Sequence, residues 1–124
     1  MSEPLPRLEI GIDCRDPHAL AGFWAGALGY RVGEGDGQPY LDLLPPEEVE
    51  APVVFLQRVP EPKQLKNRLH LDLYVEDPDA TIERLETMGA DRLGDAVRDS
   101  DGTFSFQLMA DPEGNEFCVC VEEA

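Results

Sequence analysis

The dipeptide Asp-Pro opens an amphipathic stretch twice in this chain, at Asp16-Pro17 and at Asp77-Pro78, 61 residues apart. Each stretch closes on a glycine, Gly29 and Gly89, 60 residues apart. Aspartate before the first turn accepts hydrogen bonds from backbone N–H groups that would otherwise go unpaired, and proline suits the first helical position. Glycine allows the left-handed residue on which many helices end. A chain of 124 residues that restarts halfway builds its core from two copies of one supersecondary unit.

The flanking patterns say what that unit is. Leu8, Ile10, Ile12 and Cys14 alternate with Glu9, Gly11 and Asp13, the period of a half-buried strand. Leu20, Phe23, Trp24, Ala27 and Leu28 then fall on one helix face. Strands are predicted over Tyr30 to Gly33, Pro39 to Leu44 and Pro52 to Val59, with a turn at Gly35-Asp36-Gly37. The second copy begins with Leu69, Leu71, Leu73 and Val75 alternating with His70, Asp72 and Tyr74. A helix with Ile82, Leu85 and Met88 inward follows, then strands over Arg92 to Val97, Thr103 to Met109 and Glu116 to Val121. Asp111-Pro112-Glu113-Gly114 reads as the turn before the last strand. Pro60 to Lys66 reads as an extended link.

The fold class is therefore α+β: two βαβββ modules, about 8–59 and 67–121, in a single domain of 124 residues. In each module one sheet face packs on the helix, through Leu8, Ile10 and Ile12 or through Leu69, Leu71 and Leu73. The other face carries Glu9, Asp13, His70, Asp72 and Tyr74, and two such sheets would enclose a polar cup. Burying those groups without a partner is costly, so the face is wet, ligand-lined or metal-binding.

Charge narrows the partners. Ten Lys and Arg against 26 Asp and Glu leave a formal net charge of −16. Such a field repels polyphosphates, which argues against nucleic acid and anionic membranes and favours a cationic or polar-aromatic small molecule. No apolar run approaches the ~20 residues of a membrane span. The opening Met1 to Arg7 has neither the basic nor the apolar region of a signal peptide. The three cysteines, Cys14, Cys118 and Cys120, are odd in number and poorly spaced for bridging. A reducing cytoplasm is the expected compartment.

Three stretches carry a family resemblance: Asp16-Pro17 with Phe23-Trp24-Ala25-Gly26-Ala27-Leu28-Gly29, then Asn67-Arg68-Leu69-His70-Leu71-Asp72, then Asp111-Pro112-Glu113-Gly114-Asn115-Glu116-Phe117-Cys118. With the paired modules, they resemble the vicinal oxygen chelate superfamily of glyoxalase I, extradiol dioxygenases and bleomycin- and fosfomycin-resistance proteins, in its glyoxalase-like branch. The resemblance implies metal ligands on the cup side of the first and last strands of each module. His70 holds the usual histidine position. Glu9 stands where metal-dependent members commonly carry histidine, and Cys118 where they usually carry glutamate. Gln57 takes the fourth place.

His70 is accordingly a metal ligand or general base, or else a cup histidine hydrogen-bonded to Asp72 or Arg68. Glu9, His70 and Cys118 would make a mixed oxygen, nitrogen and sulfur site compatible with one divalent ion: zinc, nickel or iron. Asp13, Arg68, Asp72 and Tyr74 are the candidate ligand-binding residues. The implied activities are lyase, isomerase or dioxygenase chemistry on a small oxygenated substrate, centred on His70. The alternative is a non-catalytic, bleomycin-resistance-like binding protein. A homodimer is expected, because small sheet modules have edges to protect.

Overall fold

The computed structural model describes residues 5–35 and 39–122. The chain divides into two compact units, up to Pro62 and from Lys63 onward. The division falls within the proline-containing link between the modules.

The first unit runs β1 (Glu9–Cys14), α1 (Pro17–Leu28), β2 (Arg31–Val32), β3 (Tyr40–Leu44) and β4 (Val53–Arg58). Its sheet order is β1-β4-β3-β2, with β1 parallel to β4 and the other pairs antiparallel. Parallel neighbours need a long crossover, which α1 and the β2–β3 hairpin supply. The helix starts where its sequence signal says it should: Asp16 Oδ1 accepts from the Ala19 N–H at 3.2 Å. It ends at Gly29, whose φ of 73° is open to glycine at little cost. Leu20, Phe23 and Trp24 are buried against Leu41, Leu43, Val54 and Leu56, and the Phe23 and Trp24 rings meet edge to face at 5.3 Å. Trp24 is thus a core residue.

The second unit runs β5 (Leu71–Val75), α2 (Pro78–Thr87), β6 (Asp91–Arg92), β7 (Val97–Arg98), β8 (Phe104–Ala110) and β9 (Glu116–Val121). Its sheet order is β5-β9-β8-β6, with β7 also on β8, and β5 is parallel to β9. The repeat extends to single hydrogen bonds. The Val59 N–H donates to the Cys14 carbonyl at 2.8 Å, and the Glu122 N–H donates to the Val75 carbonyl at 2.7 Å. Asp77 caps α2 through the Ala80 N–H at 3.1 Å, as Asp16 caps α1.

The turn into β9 is built around a buried carboxylate. Asp111 is 2% exposed and accepts from the Glu113 and Asn115 N–H groups at 2.8 and 2.9 Å and from Asn115 Nδ2 at 3.0 Å. A loop that must bury its own amides needs such an acceptor.

Several sequence expectations need correction. Leu8 and Leu69 do not join the helix-facing rows: they are 65% and 88% exposed, because the ladders begin at Glu9↔Val53 and Leu71↔Phe117. Ile10, Ile12, Leu71 and Leu73 are only half-buried, since β1 and β5 lie at the ends of their sheets. The fully buried rows belong to inner strands: Leu41 and Leu43, Val54 and Leu56, Phe117 and Val119. The strand expected over Arg92 to Val97 is two short strands, β6 and β7, broken around Gly94 at φ 74°. Gln107, 1% exposed, donates to the Gly94 carbonyl at 3.1 Å and holds that break in place. Met88 is half-buried and sits just past the end of α2. Asp36 and Gly37 of the expected first-module turn lie outside the described residues. The link is fastened at its end, where Lys63, Lys66 and Asn67 meet Glu116.

Two substitutions should separate the cap from the buried turn. Asp77→Ala removes one exposed cap bond and should cost about 1 kcal/mol in urea unfolding. Asp111→Ala strands several donors in a buried turn and should cost about 3 kcal/mol. Equal losses would show that the turn does not bear on stability as its hydrogen bonds indicate.

Candidate functional site

In the second unit the parallel β5–β9 register sets Asp72 beside Cys118 and Tyr74 beside Cys120. Alternation along β9 turns Phe117 and Val119, both 0% exposed, to one face and Cys118 and Cys120 to the other. The second face forms a concavity of about 540 Å³, lined by His70, Asp72, Tyr74, Phe106, Cys118 and Cys120 with Ser105, Val121 and Glu122.

Three of these side chains converge. His70 Nε2 lies 3.1 Å from Asp72 Oδ1, and the Cys118 thiol is hydrogen-bonded to the same carboxylate. One ligand atom from each of His70, Asp72 and Cys118 lies within 4.8 Å of the others. The heads of His70 and Asp72 are exposed and Cys118 is buried, so the group opens to solvent from one side. Asp72 faces both partners. With the imidazole neutral and its Nε2–H toward Asp72, Nδ1 keeps the lone pair and can accept a proton or bind a metal.

The thiol is held protonated. Burial, then the Asp72 charge, push Cys118 from 9.0 up to about 11. Burial and Asp72 also raise Cys120. Cys118 is therefore no nucleophile at neutral pH, and only a cation placed against it would draw the proton off.

The remaining sequence-predicted residues are differently placed. Glu9, Asp13 and Gln57 belong to the first unit, where Glu9 is exposed and paired with Arg7, and Asp13 lies beside Gln57 in register. The centre of that sheet face is filled by Phe55, whose ring covers Gly11; a Cβ on Gly11 would come within 2.7 Å of it. Tyr40 packs edge to face on Phe55 at 5.8 Å. Comparing the two registers, Gly11↔Phe55 corresponds to Asp72↔Cys118, and Asp13↔Gln57 to Tyr74↔Cys120. The first-unit counterpart of Cys118 is thus Phe55, which offers no ligand atom. Arg68 is exposed in the bend before β5 and does not line the concavity.

Sequence reasoning passed over Phe106, Ser105 and Glu122. Along β8 the apolar row Phe104, Phe106 and Leu108 looks like the core side, yet Phe106 and Leu108 pair with Cys120 and Cys118 and share their face. Gln107 and Met109 take the buried side. The missing signal is that Gln107 finds acceptors at the Gly94 and Leu108 carbonyls, so the polar residue is the buried one. A concavity of about 630 Å³ in the first unit is lined by Arg15, Asp16, Arg58, Val59 and Pro60. No convergent set of metal donors among the described residues lines it, so the chemistry points to the second unit.

The raised thiol has a consequence for stability. In the unfolded chain Cys118 ionises near 9.0, in the folded chain at about 11, so the unfolded state loses its proton first. Stability that is complete below about pH 9 should fall by about 2–3 kcal/mol as the pH rises through about 11. Cys118→Ala should remove that part of the alkaline loss in urea unfolding; an unchanged profile would mean that the thiol is not held as described.

The comparisons with known proteins agree with this architecture. A family model described as a glyoxalase-like domain matches residues 9–120. No curated protein sequence matches at a significant level. Among solved structures, the chain is similar to the genomically encoded fosfomycin resistance protein FosX from Listeria monocytogenes (TM-score 0.73, 14% identity, covering 99% of this chain and 94% of that one). A mutant of FosX complexed with Mn(II) and a dihydroxypropylphosphonic acid matches with TM-score 0.72 at 13% identity, over 97% of this chain and 90% of that one. A glyoxalase-related enzyme from Fulvimarina pelagi matches with TM-score 0.70 at 17% identity, over 95% and 89%. At such identities the solved structures speak to the fold, which is the α+β, two-sheet fold of glyoxalase, bleomycin-resistance and dioxygenase proteins. Since the family match runs through both units, from β1 to the end of β9, the chain belongs to the glyoxalase-like domain family.

Proposed function

We propose that this protein binds a small oxygen-bearing molecule on the concave face of its second unit, and that His70, Asp72 and Cys118 hold a divalent transition metal there. The observation that carries the reading is the convergence of three different donor types within 4.8 Å. Imidazole, carboxylate and thiolate together suit zinc first, with nickel and iron as the alternatives. Zinc bonds of about 2.0–2.3 Å ask neighbouring donors to lie closer than the widest separation here. The exposed heads of His70 and Asp72 leave them free to rotate inward. A complex of FosX with Mn(II), on the same fold, supports the reading.

When bound, such an ion would polarise a carbonyl or hydroxyl oxygen of the ligand. The chain's own groups do the rest. Asp72 orients His70 through Nε2 and so leaves Nδ1 for the ion; without an ion, that same nitrogen is the one that can take a proton. Tyr74 offers a hydroxyl, and Phe106 an apolar wall. A polarised oxygen is what the lyase, isomerase and dioxygenase alternatives have in common, and the site is suited to supplying it. Glu9 and Gln57, in the first unit, carry no part of this proposal.

A second reading, metal-free sequestration of the ligand, has its own observation. Asp72 takes both the His70 imidazole, at 3.1 Å, and the Cys118 thiol, so the three side chains pair with one another without an ion. The proposal extends to a homodimer, supported by β1 and β5 lying at sheet ends, and to a reducing compartment, supported by three unbridged cysteines. No helix among the described residues is long and apolar enough to cross a membrane.

Titration of metal-stripped, untagged protein with Co(II) and Zn(II) tests the centre. One equivalent should bind, with the near-ultraviolet charge-transfer band of a cobalt thiolate. His70→Ala should weaken binding by about 100-fold or more, since losing even an outer partner of a ligand costs 10–100-fold. Because Cys118 must give up its proton, affinity should rise about tenfold per unit between pH 7 and 9. No uptake by folded protein would remove the metal and leave sequestration. Light scattering should give twice the chain mass of 13.7 kDa; a monomer at all concentrations would remove the dimer.

A further inference from the structure

Lys63, Lys66 and Asn67, all in the segment that leads into β5, converge on one carboxylate. Glu116 Oε1 accepts from the Asn67 N–H at 2.8 Å and from Lys66 Nζ at 3.0 Å, with Lys63 Nζ at 3.9 Å. Asn67 Nδ2 donates to the Glu116 carbonyl at 3.0 Å, so Asn67 is held by its backbone and its side chain at once. The Glu116 side chain is only 12% exposed, which strengthens each of these contacts.

The location gives the clamp its meaning. Ladder pairing of β5 with β9 begins at Leu71↔Phe117, so the residues just ahead of it are His70 and Glu116. Glu116 also shares its strand face with Cys118 by alternation. The approach to β5 has no apolar anchor of its own, because Leu65 and Leu69 are 82% and 88% exposed. Polar ties to Glu116 do the anchoring, three residues upstream of His70.

We propose that Glu116 is a positioning residue for the site: by holding Asn67 against the start of β9, it sets where His70 enters the face occupied by Asp72 and Cys118. The inference rests on the reading of His70 as a functional group. Glu116 itself is not among the residues that line the concavity. Without the clamp the segment from Lys63 to His70 is tied down only at β5, and the imidazole samples positions away from Cys118.

The test compares Glu116→Ala, Glu116→Gln and Asp77→Ala by two readouts. One is Co(II) affinity. The other is the nuclear Overhauser contact between the His70 ring and the Cys118 side chain in metal-free protein, expected from their separation. Glu116→Ala should lose that contact and bind Co(II) at least about tenfold more weakly. Glu116→Gln keeps an acceptor for the Asn67 N–H and should restore most of both. Asp77→Ala, which weakens the unit at the far end of β5, should lower stability and leave both readouts unchanged. If Glu116→Ala does not fold, Asn67→Ala, which deletes only the Nδ2 bond, should weaken the contact. Contacts and affinity retained in the clamp variants would overturn the inference. If the unmodified protein takes up no Co(II), the metal reading fails, and the metal-free contact still decides the role of Glu116.

Discussion

Each unit hangs on a parallel pairing between its first and last strands. β1 lies beside β4, and β5 beside β9. Parallel strands cannot be joined by a tight turn, so the helix and hairpins between them are obligatory. The pairing also decides which side chains become neighbours. Asp72 and Cys118 are 46 residues apart in sequence and adjacent in space because of the register. Moving that register by one residue would send Cys118 to the helix face and dismantle the cluster.

The same framework yields opposite results in the two units. In the first, glycine at position 11 lets Phe55 lie across the sheet, and the face is filled with ring carbon. In the second, the equivalent pair is an aspartate and a cysteine, and the face is left open and polar. Duplication provides two copies of a scaffold; side-chain volume at one pair of positions decides which copy keeps a usable face.

Electrostatics make that open face responsive to cations. Asp72 stabilises a protonated thiol on one side and takes the imidazole on the other. An anion brought to Cys118 would add to the repulsion already keeping the thiol neutral, whereas a divalent cation would reverse its sign. The formal net charge of −16 acts in the same direction over longer range, though salt screens it beyond about 8–10 Å.

Local chemistry was legible in the sequence. Asp16 and Asp77 are caps, Gly29 takes a positive φ, Trp24 lies in the core, and the 61-residue repeat is a pair of βαβββ modules, because these features depend on residues close in the chain. His70, Asp72, Tyr74 and Cys118 could be placed on one polar face by alternation and by resemblance. Other features were hidden: Leu69 lies outside the core, Gln107 lies inside it, Phe55 answers to Cys118, and Glu116 clamps the approach to His70. Each depends on a partner 13 to 49 residues away, or on where a ladder starts. Sequence by itself determined the elements and their faces, because hydrogen-bonding and steric preferences act over a few residues. Only the tertiary structure decided which faces are filled and which donors meet, because register and side-chain volume are settled when distant strands pair.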